Sequence, residues 1–245
     1  MTAQPPGCPG FLFRGLGTFH IVLNRIDLRG VPNDQIASLL PRPEIAGEGP
    51  VAAVREIIAD VRARGDEALR DLTERFDGVR PNLRVEPAAI AAALERIDPE
   101  LRSALETAAA GIADFHRTQV VADHTYERDG IVVRGRKVAV DRAGCYVPGG
   151  RAIYPSTVLM TAIPAKVAGV AEVVLCVPPD STGTVPTVTL AAAAIAGVDE
   201  VYAVGGAQAV GAMAYGTETV RPVDVIVGPG NVYVAIAKRE VAGLV

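Results

Sequence analysis

Three histidines, three cysteines and no surplus of basic residues stand in a chain of 245 residues, and each shortage excludes something. The cysteines, Cys8, Cys145 and Cys176, are odd in number, widely spaced and without a CxxC pair. Neither a disulfide framework nor a zinc knuckle can be built from them. That usage suits a reducing compartment, and the expected location is cytoplasmic. The histidines, His20, His116 and His124, form no HxxxH or Q/D-x-x-H arrangement, so no metal ligand is assigned in this chain. With 24 Lys and Arg against 28 Asp and Glu, the net charge of -4 argues against a nucleic-acid-binding surface. The apolar stretch "GFLFRGLGTFHIVL" near the start is broken by Arg14 and by glycines, and it lacks a basic start or a small-residue cleavage pattern. It reads as neither signal peptide nor membrane span.

What is present is a composition of 49% hydrophobic and 21% charged residues, which predicts a globular protein with a substantial core. Residues 1–23, rich in Gly, Pro and Phe without periodicity, are expected to be a loose N-terminal extension, and the first well-formed segment opens near "LNRIDLRG". Residues 24–125 read as a helical arm. Val51, Val54, Ile57, Ile58 and Val61 recur at helical spacing, Gly65 supplies a stop, and Asp66 is expected to cap a second helix through "EALRDLTERF". "EPAAIAAALERI" and "DPELRSALETAAAGIADFHRTQ" place Pro87 and Pro99 just inside two further helix starts, behind Glu86 and Asp98.

From residue 126 to 245 the pattern changes. "TYERDGIVVRGRKVAV" predicts short strands around the hairpin dipeptide Asp129-Gly130. "AGCYV", "EVVLCV", "EVYAV" and "DVIV" then recur, each followed by a Gly- or Pro-containing turn and then by an Ala-rich helical stretch. This is the rhythm of βαβ units and predicts an α/β fold with a doubly wound, Rossmann-like parallel sheet, covered on both faces. The loops at the carboxyl ends of such strands converge on a ligand site. They offer Gly149-Gly150 behind Tyr146, a helix start near Ser156-Thr157, Gln208 in "GGAQAV", and Asn231 in "GPGN". Glycine-rich turns also serve folds that bind nothing, and no GxGxxG is followed about twenty residues later by an acidic ribose partner. From the residues alone the ligand stays open.

The strings "GCYVPGGRAIYPSTVLMTAIPAKVAGV", "GGAQAVGAMAYGT" and "VDVIVGPGNVYVAIAKREV", in that order, closely resemble the histidinol dehydrogenase family. Weaker echoes stand in "RGDEALRDLTERFDG" and "DFHRTQ", and the likeness runs over residues 24–243, the amino-terminal half or slightly more of the family's chain. The resemblance implies oxidation of L-histidinol to L-histidine through the aldehyde, with NAD accepting the hydrides, in a homodimer carrying a zinc ion that is not redox active. It implies that Tyr146, Gln208 and Asn231 contact NAD, and that residues 24–125 contribute to the subunit contact. The family's zinc ligands and catalytic Glu-His pair belong to segments that this chain does not contain. The expectation is therefore a fold incomplete relative to the family, with no catalytic and no metal-binding residue of its own, inactive alone. The partners implied are L-histidinol, NAD and a second copy, with no nucleic acid and no membrane. A stand-alone nucleotide-binding module, or a non-catalytic subunit pairing with a complete chain, remains an alternative.

The remaining candidates have structural readings. His116 ends a long helix, where a cation suits the dipole. His124 belongs to a polar loop facing solvent. Cys176, inside an apolar strand, is expected to be a buried and inert thiol, and Cys145 likewise although it adjoins the cofactor loop. Asp224, Lys238 and Arg239 read as surface charges.

Overall fold

The structure, a computed structural model, describes residues 26–40, 48–149 and 152–245. The expected extension 1–23 with Cys8 and His20, and Gly150 of the first turn, lie outside the described residues. The chain divides into two units, Met1–Ile45 and Ala46–Val245. In the first, the described part holds a turn and one helix, α1 (Asn33–Leu39), with no buried residue. Its two large apolar side chains, Ile36 and Leu39, span too short a stretch to register as a helical period.

The second unit runs α2 (Glu48–Arg64), α3 (Asp66–Asp77), α4 (Pro87–Arg96), α5 (Pro99–Arg117), β1 (His124–Arg128) and β2 (Ile131–Gly135). It continues β3 (Arg142–Tyr146), α6 (Pro155–Val167), β4 (Glu172–Val177), α7 (Thr187–Ala196), β5 (Glu200–Ala203), α8 (Gly206–Tyr215), β6 (Val225–Val227) and α9 (Val232–Val241). Strands β3 to β6 form one parallel sheet in the order β5-β4-β3-β6, the doubly wound α/β arrangement that the sequence rhythm predicts. The predicted hairpin forms as well: β1 and β2 pair antiparallel through a turn in which Asp129 (φ 50°) and Gly130 (φ 80°) are both left-handed. Both of its strands are exposed along nearly their whole length.

Alternation along the strands sorts the core into two layers. Cys145, Leu175, Val201 and their in-phase neighbours pack under α4–α7. Tyr146, Cys176 and Tyr202, one step out of phase, pack under α2, α3, α8 and α9. The predicted stripe of α2 is correct, with Val54, Ile58 and Val61 wholly or nearly buried. Residues 83–85 pair with the outer edge of β5, where the Val85 amide donates to the Val201 carbonyl at 2.9 Å and the Ala203 amide to Leu83 at 2.7 Å. That edge is therefore covered.

Asp98 caps α5 as expected, its Oδ1 accepting from the amides of Glu100 (2.8 Å) and Leu101 (3.2 Å). Asp66 does not cap α3. The N-cap is Gly65, at φ 54°, and Asp66 lies inside the helix with its carboxylate buried. Thr217 Oγ1 donates to it at 2.6 Å and the Thr219 amide at 3.1 Å, while the Thr219 hydroxyl is a further close donor. Glu218 caps the helix from outside, its Oε2 accepting from the Asp66 amide at 2.8 Å. A Cβ at Gly65 would stand 2.3 Å from that oxygen. A tertiary partner has displaced the local cap.

Candidate ligand cleft at the strand ends

In the strand order β5-β4-β3-β6, the chain leaves β3 toward β4 on one side and adds β6 on the other. The carboxyl ends of β3 and β6 thus flank the point where the order reverses, the place where open α/β sheets hold ligands. A cleft of about 860 Å³ lies there, within the usual size of small-molecule sites. One wall consists of the turns after β3, β4, β5 and β6, and the other of α2 and α3.

Close backbone approach locks the turns together. Gly228, at φ 114°, lies against β3 so tightly that a Cβ would stand 2.0 Å from the Tyr146 carbonyl oxygen. Pro178, from the turn after β4, wedges between Gly149 and Gly205, where added Cβ atoms would meet its ring at 3.1 and 2.3 Å. Tyr146 is buried with its hydroxyl accepting from the Gly206 amide at 3.1 Å, which fixes the start of α8. Lys238 is not the surface charge expected. It is half-buried and its Nζ donates to the Gly228 carbonyl at 2.5 Å. Asp224 is exposed, as expected of a surface charge, and accepts from the Arg142 amide at 2.8 Å.

The three residues singled out in the sequence, Tyr146, Gln208 and Asn231, all line this cleft. Gln208 is 1% exposed, and its Oε1 has no hydrogen-bond partner among the described residues. A buried acceptor without a donor costs about 1–3 kcal/mol, and the residue that carries it lines the cleft. The backbone amides of Ala207 and Gln208, at the start of α8, also have no acceptor among the described residues. They form an anion-favouring helix terminus. Asn231 is more restricted. Its Oδ1 accepts from the amides of Tyr233 (3.0 Å) and Val234 (3.1 Å) as the cap of α9, which leaves only Nδ2 for a ligand.

The opposite wall was not legible in the sequence. Phe76 and Asp77, the last residues of α3, face the cleft together with Ile57 of α2. Asp77 is exposed, and the partial burial of its carboxyl at the cleft pushes it above the ordinary carboxylate value. These residues stand far from the glycine turns in the chain, and nothing in their local pattern announces a ligand. The thiols behave as anticipated. Burial raises Cys145 to about 11 and Cys176 to about 12, so both stay protonated near neutral pH and neither is an activated nucleophile.

Among the described residues no group of three or more His, Cys, Asp and Glu side chains is placed to hold a metal ion. His116 is engaged with Gln119 at 2.7 Å at the end of α5, and His124 lies on the exposed hairpin. The donor set for zinc does not fit here. No described helix is long and apolar enough to cross a membrane.

Fold and cleft together define a doubly wound α/β protein with a cleft at the switch point of its sheet. A family model described as histidinol dehydrogenase matches residues 40–245, and the chain belongs to that family. It is 49% identical over 211 residues to the histidinol dehydrogenase of Methanothermobacter thermautotrophicus, covering 85% of this chain and 50% of the relative. With that of Rhizobium meliloti it shares 50% over 229 residues, covering 92% and 52%. The crystal structure of histidinol dehydrogenase from Elizabethkingia anophelis superposes with a TM-score of 0.81 at 35% identity, over 87% of this chain and 50% of that one. The chain spans about half the length of the curated relatives it matches.

Proposed function

We propose that the cleft binds NAD, and that the chain is the cofactor-binding part of an enzyme that oxidises L-histidinol through L-histidinal to L-histidine. The observation that carries this reading is the buried, unpartnered carbonyl oxygen of Gln208, a residue that lines the same cleft as Tyr146 and Asn231 in a family of dehydrogenases. When bound, NAD supplies the acceptor for the hydride leaving the alcohol carbon. The chain's own residues hold and orient it. Gln208 Oε1 accepts from a ligand N–H or O–H, while the amides of Ala207 and Gln208 and the Asn231 Nδ2 donate to its anionic oxygens. Tyr146 keeps the α8 terminus in place and has its own hydroxyl proton left to donate. Removal of the alcohol proton and hydration of the aldehyde are assigned to no residue of this chain, and zinc and the acid–base pair belong to the remainder of the family's length. The homodimer expected for the family belongs to the same proposal.

The test combines binding and turnover on one preparation. We expect saturable NAD+ binding by the folded chain, weakened about ten-fold or more in Gln208→Ala, and no NADH formation from L-histidinol with zinc present. A folded chain that binds no NAD+ overturns the cofactor assignment. Turnover by the 245-residue chain overturns the placement of the catalytic groups outside it.

A further inference from the structure

Helix α3 carries five acidic residues, Asp66, Glu67, Asp71, Glu74 and Asp77. Four of them are paired with arginines: Asp66 with Arg70, Glu67 with Arg70 and Arg80, Asp71 with Arg64 and Arg80, and Glu74 with Arg80. Asp77 has no hydrogen-bond or ion-pair partner among the described residues. It is also the last residue of the helix, where the dipole disfavours a negative charge. Exposed at the cleft and without a countercharge, that carboxylate serves no contact within the fold. It lines the same cleft as Tyr146 and Gln208. Beside it Arg75, with its guanidinium 5.2 Å from the centre of the Phe76 ring, is a cation without a carboxylate partner among the described residues, and it also lines the cleft.

We infer that Asp77 selects the cofactor by its ribose, accepting hydrogen bonds from the vicinal hydroxyls of an unphosphorylated adenosine ribose and repelling a 2′-phosphate. The inference rests on the reading of the cleft as a dinucleotide site. It supplies what the sequence lacks, because no acidic residue follows a glycine fingerprint at the usual distance inside a βαβ unit. Here the acid comes from the facing wall, at the end of a helix outside the strand–helix repeat. Arg75 then explains why the acid matters for selection: with the carboxylate neutralised, the cleft would present a free guanidinium suited to a 2′-phosphate.

Equilibrium titrations of NAD+ and NADP+ into the wild-type chain, Asp77→Asn and Asp77→Ala test this, with circular dichroism and thermal melts reporting the fold of each. The expected result is a wild-type preference for NAD+. In both variants NAD+ binding weakens about ten-fold and NADP+ binding tightens, as loss of charge-assisted bonds and of like-charge repulsion requires. Wild-type binding of NAD+ with an unchanged preference in folded variants, or an equal loss for both cofactors, overturns the role of Asp77 and leaves the dinucleotide reading standing. A folded wild-type chain that binds neither cofactor overturns that reading, and the selection with it.

Discussion

Gln208 and Gly228 each occupy a place that another residue type could not fill, for different reasons. Gln208 carries a buried acceptor without a partner among the described residues, so under the proposed function its truncation weakens NAD+ binding more than it weakens the fold. Gly228 combines a left-handed φ of 114° with a Cβ-forbidding distance of 2.0 Å to backbone, which has no flexible end to move aside. Gly228→Ala is expected to cost about 3 kcal/mol or more, lowering the melting temperature by roughly 6–12 °C. Gly78→Ala is the contrast. Gly78 also has φ near 76° but nothing within 4 Å of its missing Cβ, so its replacement should cost only about 1 kcal/mol. Thermal melts of both variants check the pair. At this scale Tyr146, Gln208 and Asn231 were legible because they stand beside glycine in turns whose strand–turn–helix pattern is local. Lys238 was not, since its partner is a carbonyl brought near only by the fold, and Asn231 could not be seen to spend its oxygen on a helix cap.

Helix α3 is tied to the loop after α8 through Asp66, and the tie is pH-sensitive. Burial acts to raise this carboxyl. The Thr217 and Thr219 hydroxyls, the Thr219 amide and Arg70 outweigh it and hold the group below its ordinary value. A carboxyl depressed in the folded state contributes stability that is present above its unfolded pKa of about 4, and that is lost as pH falls through the lower folded value. The wild-type chain is therefore expected to lose more melting temperature between about pH 5 and pH 3 than Asp66→Asn does. Asp66→Ala, which strands three donors, should cost about 2–4 kcal/mol at neutral pH. Melts across that pH range decide both points. Periodicity made α2 to α5 readable, and proline at the first helical turn marked α4 and α5. The start of α3 was misread because its cap comes from Glu218, a partner that no local pattern encodes.

For the whole molecule, the recurrence of apolar runs, glycine or proline turns and helical stretches made the parallel sheet readable in the sequence, and the fold sorts β3, β4 and β5 between two buried layers. The cleft was only half readable. Its glycine wall lies in consecutive strand–turn–helix units, whereas its second wall comes from α2 and α3, elements that precede the sheet and meet it only through tertiary packing. The central claim is that turns after separate strands, together with that helical wall, form one dinucleotide site. Amide hydrogen exchange of the folded chain, with and without NAD+, tests it most directly. The account predicts that NAD+ slows exchange at 146–149, 205–209 and 228–234 together, and at the end of α3 around 75–78. Binding that leaves these segments unchanged, or that protects a different surface, would contradict it.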